Sequence, residues 1–130
     1  MDKVFLSYSS KDTAFATQLE RLLHAALSGF LDQSDIAFGA RISLIQEEIK
    51  KASAVLVLLS EDAVKSNWVP FEIGMAQALG KPIIPILLPM TDLNKSIMDL
   101  VKGYPVIDAR EKPIPEVAEE INSALELQPA

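Results

Sequence analysis

The chain has no cysteine and a single histidine. The first absence excludes disulfides, thiolate zinc sites and a cysteine nucleophile, and fits a reducing compartment. The second removes the usual general base. His24 stands beside Leu22, Leu23 and Leu27 on a helical pattern, where a histidine belongs to packing or surface rather than catalysis. Carboxylates alone remain as metal ligands, and they are spread along outer faces, so no metal is expected. No apolar run approaches the ~20 residues of a membrane span. Met1-Asp2-Lys3 leads straight into an apolar run, so no signal peptide is expected either. A clustered basic surface is also lacking, and 12 Lys and Arg against 18 Asp and Glu leave a net charge of -6, which disfavours nucleic acid as a partner. Neither G-x-G-x-x-G nor G-x-x-x-x-G-K-[ST] occurs to cradle a dinucleotide or triphosphate, and no G-x-S-x-G elbow presents a serine nucleophile.

What is present is 130 residues, 49% of them apolar, which is enough for one domain with a core of its own. It reads as a soluble, cytoplasmic domain spanning 1–130, whole or part of a longer parent. Val4-Phe5-Leu6 is a buried strand that ends in the polar cluster Ser7-Tyr8-Ser9-Ser10-Lys11-Asp12. Phe15, Leu19, Leu22, Leu23, Ala26 and Leu27 then recur at helical spacing, with Ser10 or Asp12 available as cap. Gly29 to Asp32 is a weak strand, and Gln33 to Arg41 a loop around Gly39. A second helix follows, with Ile42, Ile45 and Ile49 on one face and Ser43-x-x-Gln46 as a capping box. Ala54 to Leu59 is continuously aliphatic, as a fully buried parallel strand should be. Ile83 to Leu87 is another strand, in which Pro85 predicts an interrupted ladder or an outer position. A short helix from Leu93 to Val101, a strand at Pro105-Val106-Ile107 and a helix after Pro115 complete the chain. This alternation predicts a doubly wound α/β sheet of about five parallel strands flanked by helices. Ligands of such sheets gather at the carboxyl ends of strands, which puts Tyr8 to Asp12 where a small molecule would bind, unless these residues serve only as turn and caps.

One stretch breaks the pattern. If Asn67 caps a helix whose first turn holds Pro70 and whose stop is Gly80, then Trp68, Glu72, Met75 and Leu79 share one face. A carboxylate among such neighbours loses water and its pKa should rise, which makes Glu72 a functional candidate. The plainer alternative is that Glu72 snorkels at the positive end of the helix. Phe38, next to Gly39, would be an exposed loop aromatic that closes on a ligand, docks on another subunit or tucks into the core.

Taken in order, Phe5-Leu6-Ser7-Tyr8-Ser9-Ser10-Lys11-Asp12, Leu31-Asp32 with Gly39 and Arg41, Ala54 to Ser60, Trp68-x-x-x-Glu72-Ile73 and Gly80-Lys81-Pro82-Ile83-Ile84-Pro85 resemble a TIR (Toll/interleukin-1 receptor) domain of the bacterial kind. The resemblance implies a flavodoxin-like fold. It also implies cleavage of NAD+ between nicotinamide and ribose, as hydrolysis or cyclisation, with NAD+ as substrate and no cofactor. Glu72 matches the essential carboxylate of catalytic members. Tyr8, Ser9, Ser10, Lys11, Asp32, Arg41 and Trp68 match positions near the substrate, and Phe38 and Gly39 an interface loop. Arg41 stands where other catalytic members carry an aromatic, and the second strand is shorter than usual. A bacterial setting would make the domain an innate-immune or anti-phage effector that self-associates as a homo-oligomer or filament on activation. A binding module that pairs with other TIR domains without turnover is the competing expectation.

Overall fold

A computed structural model describes residues 3–28 and 38–126, with the side chains of 26, 28 and 38–41 outside the description. Five parallel strands are ordered β2-β1-β3-β4-β5, namely Lys3–Ser7 (β1), Ala26–Ser28 (β2), Ala54–Leu59 (β3), Ile83–Leu87 (β4) and Ile107–Asp108 (β5). The helices are Thr13–Glu20 (α1), Phe38–Lys51 (α2), Glu61–Lys65 (α3), Val69–Ala78 (α4), Lys95–Leu100 (α5) and Ile114–Glu126 (α6). This is the doubly wound α/β architecture that the alternating pattern predicts.

The sheet has two apolar faces because strand side chains alternate. Phe5, Val55, Val57, Leu59, Ile83 and Leu87 pack against α2 and α4 through Ile45, Ile49, Val69, Ile73 and Ala76. Val4, Leu6, Leu56, Leu58, Ile84 and Ile86 face Ala16 and Leu19 of α1 and Val117, Ala118 and Ile121 of α6. All six residues of β3 are buried, which explains why its sequence is aliphatic without alternation.

Pro85 is accommodated inside the sheet. The β3–β4 register runs unbroken from Val55↔Ile83 to Leu59↔Leu87, with Pro85 opposite Val57. Leu88 donates its N–H to Leu59 on β3, while Leu87 accepts from Ala109 on the β5 side. Alternate residues of a parallel strand address opposite neighbours, so Pro85 shares the side of Leu87 and turns its missing donor away from β3. β5 pairs only from Ile86↔Ile107 onward, so no ladder bond is lost. β4 is therefore neither interrupted nor outermost.

The boundaries around β2 and α2 differ from the sequence reading. α1 stops at Glu20, and Ala26 and Leu27 belong to β2, in register with Lys3 and Val4. Main-chain pairing on the open edge of β1 outweighs the helical periodicity of those residues. The expected strand at 29–32 and the loop from 33 to 37 lie outside the described residues. α2 begins at Phe38, so Phe38, Gly39 and Arg41 form its first turn rather than a loop.

Candidate active site

Two polar residues interrupt the apolar face covered by α2 and α4, and they meet there. Ser7 ends β1 on the side that Phe5 shares, and Glu72 lies in the first turn of α4. Ser7 Oγ donates to Glu72 Oε1 at 2.7 Å. Ser7 is 1% and Glu72 2% exposed. Dehydrating a carboxylate costs several kcal/mol, and a hydrogen bond to a charged group stabilises by about 1.5–3 kcal/mol. The positive end of α4 adds to that compensation. A snorkelling edge residue would keep its charge in water, so that alternative does not describe Glu72.

α4 turns differently from the expected stripe. Its buried residues are Val69, Glu72, Ile73 and Ala76, while Trp68, Phe71, Met75 and Leu79 form a half-buried flank. Trp68 and Phe71 meet edge to face at 5.9 Å and 82°. The helix is fixed at both ends. Ser66 Oγ, rather than Asn67, accepts from the N–H groups of Trp68 and Val69 at 3.0 and 3.1 Å. Gly80, at φ 67°, ends the helix with bonds from its own N–H to Gln77 and from Lys81 to Ala76, a left-handed stop that favours glycine.

The chain leaves β1 and β3 toward opposite edges of the sheet, and ligands of doubly wound folds bind in the crevice at that divergence. Ser7 ends one of these strands, and the residues that follow both strands are tied together. Ser9 Oγ accepts the N–H of Lys11, and Thr13 Oγ1 donates to the Ser10 carbonyl at 2.6 Å. Ser60 Oγ donates to Asp12 Oδ2 at 2.5 Å and accepts the N–H of Ala63 at 3.0 Å, capping α3. Lys11 Nζ lies 3.8 Å from Asp62, an exposed pair of little energetic weight. Burial pushes the Asp12 carboxyl above its usual range; the Ser60 bond opposes this and the Asp62 charge adds to it. Tyr8 is half-buried against the α1/α6 face, and its hydroxyl is raised by burial and then by Glu20.

The structure thus brings Tyr8, Ser9, Ser10 and Lys11 onto the loop that follows Ser7, and sets Trp68 one helical turn before Glu72. Asp32 lies outside the described residues, as do the side chains of Phe38, Gly39 and Arg41. Ser7 and Ser60 are the additions, and Asp12, already read as a ligand-site or capping residue, is tied to Ser60. Ser7 carried a signal in the sequence, since a hydroxyl at the strand position matching Phe5 is a polar misfit that needs a buried acceptor. Ser60 carried none beyond capping chemistry. A cleft of about 360 Å³ beside β5 is lined by Asp108, Arg110, Glu111 and Lys112. Three of these charges are engaged in ion pairs, Asp108 with Arg110 at 2.9 Å and Lys112 with Glu120 at 2.8 Å.

A family model described as TIR domain matches residues 4–127. The chain belongs to the TIR domain family. No curated protein matches it. Solved structures of like fold include the TIR domain of the Toll-related receptor TRR-2 from the lower metazoan Hydra magnipapillata, 19% identical over 95% of this chain and 97% of that one, with a TM-score of 0.65. The RPS4 and RRS1 TIR domain heterodimer is 15% identical over 96% of each chain, with a TM-score of 0.70. A 2-desoxiribosyltransferase from Leishmania mexicana is 17% identical over 92% of this chain and 98% of that one, with a TM-score of 0.59. At such identities the likeness is one of fold, so what this TIR domain does rests on its own site. Among its described residues no helix is long and apolar enough to cross a membrane.

Proposed function

We propose that this TIR domain cleaves NAD+ at the bond between nicotinamide and ribose, with Glu72 as the catalytic carboxylate. The observation that carries the reading is a buried carboxylate beside the carboxyl end of β1, held by a strand hydroxyl at 2.7 Å. Nicotinamide leaves as a neutral molecule with the C–N bond pair and needs no general acid. The barrier is the positive charge that develops on the ribose, and a carboxylate in a low-dielectric setting stabilises it. Water then adds to the sugar carbon and releases its proton, or a nucleophile of the ADP-ribose itself closes a ring. Glu72 acts by charge and by holding ribose hydroxyls, not as the attacking group.

Tyr8, Ser9, Ser10 and Lys11 are assigned to the substrate's polar parts and Trp68 to a wall that keeps water sparse; Asp32 and Arg41 are assigned with them through the family resemblance alone. Glu72 is 2% exposed, so substrate entry requires its surroundings to open. A neighbour of the same fold named as a 2-desoxiribosyltransferase makes sugar-transfer chemistry compatible with this framework. The activity suits a bacterial cytoplasmic immune or signalling effector that works when assembled with other TIR domains.

The purified chain, at high concentration, is incubated with NAD+ and nicotinamide release is followed by chromatography. Glu72→Ala and Glu72→Gln should lower the rate about 100–1,000-fold, the loss typical of a preorganised electrostatic group. Equal rates in variant and wild type would remove Glu72 from the mechanism. The second reading, an interaction module without turnover, draws on the RPS4 and RRS1 heterodimer, in which two TIR domains are the paired units. It predicts that NAD+ stays intact at every protein concentration.

A further inference from the structure

We propose that Ser7 is a positioning residue for the Glu72 carboxylate, its hydroxyl setting where Oε1 stands; this rests on the reading of Glu72 as the catalytic acid. β1 lies between β2 and β3, and Ser7 pairs with Val57 in the parallel register, so its backbone is held by the sheet. Its side chain is buried and leaves on the Phe5 side, the face whose apolar cluster includes Val55, Val57, Val69 and Ile73. An apolar residue would continue that packing at less cost, because a buried hydroxyl needs an acceptor. The acceptor comes from a residue 65 positions later, on a helix with its own caps. A glutamate side chain has three rotatable bonds, and the helix backbone fixes none of them. A 2.7 Å bond from a rigid strand fixes the far end. Donation to a carboxylate also favours its ionised form, the form that stabilises a developing cation.

The test compares Ser7→Ala, Ser7→Cys and Ser7→Thr in the full chain. Threonine keeps the hydroxyl, while cysteine keeps the volume with only a weak donor. Loss of aim should lower kcat for nicotinamide release about 10–100-fold in the Ala and Cys variants, with KM within about twofold, and Thr should recover most of the rate. A second readout needs no turnover. In protein labelled with carbon-13 at glutamate carboxyls, the Glu72 resonance, assigned by its loss in Glu72→Gln, should move in Ser7→Cys and return in Ser7→Thr. Wild-type kcat in Ser7→Cys, or an unmoved Glu72 resonance in a variant with a wild-type fold, would overturn the proposal. If wild type releases no nicotinamide, the catalytic reading of Glu72 fails, and the resonance still decides whether Ser7 aims the carboxylate.

Discussion

Asp12 holds a proton more readily than a free aspartate, because burial removes water from its carboxyl and Asp62 lies nearby, although Ser60 donates to it. A carboxyl whose folded pKa exceeds its unfolded one binds more protons in the native state across that interval. Stability then falls as pH rises from the ordinary value of 3.8 through the raised folded value, and stays lower above it. Asp12→Asn keeps an acceptor for Ser60 and removes the charge. Its urea midpoint should match or exceed wild type at about pH 7, and the decline from about pH 4 upward should shrink. A midpoint well below wild type at neutral pH would mean that the charge itself helps to hold the loop. The contrast with Glu72 is instructive, since both carboxyls accept a serine hydroxyl but only Glu72 is almost wholly enclosed.

Short elements depend on their ends more than on their length. α3 has five residues, too few to persist through propensity, and Ser60 gives it a cap at Ala63 while tying it to the loop after β1. Ser60→Ala removes both bonds and should cost about 1–2 kcal/mol of unfolding free energy, measured by urea denaturation. A loss indistinguishable from zero would show that α3 is held by Ala63 packing alone. α4 shows how much of an element the sequence makes legible. Pro70 in its first turn and Gly80 at its stop follow from backbone chemistry that any observer of the sequence can apply. The cap at Ser66 and the inward turn of Glu72 do not, because several polar residues compete for one cap. One helical stripe also differs from its neighbour by a rotation that only a packing partner selects.

At the scale of the molecule, one sheet separates two apolar layers, and every central strand contributes side chains to both. Damage to either layer should therefore be felt by the other. Leu58, fully buried on the α1/α6 side, is removed in Leu58→Ala, which should cost about 2–5 kcal/mol. The single tryptophan, Trp68, packs on the opposite layer. Its fluorescence should lose its native signal at the same lowered temperature as the far-ultraviolet circular dichroism, as a single cooperative transition requires. Separate transitions would mean that the layers unfold independently. The sequence alone determined the parallel strands at Val4 to Leu6, Ala54 to Leu59 and Ile83 to Leu87, the absence of cysteine chemistry, and Glu72 as the odd carboxylate. Each of these is written in a local period or in a residue type, which needs no partner to be read. Only tertiary structure decided that Ala26 to Ser28 pair with β1, that Ser7 meets Glu72, and that Asp12 meets Ser60. Those contacts join residues 65 and 48 positions apart in the last two cases, and no local pattern encodes which distant acceptor a buried hydroxyl will find.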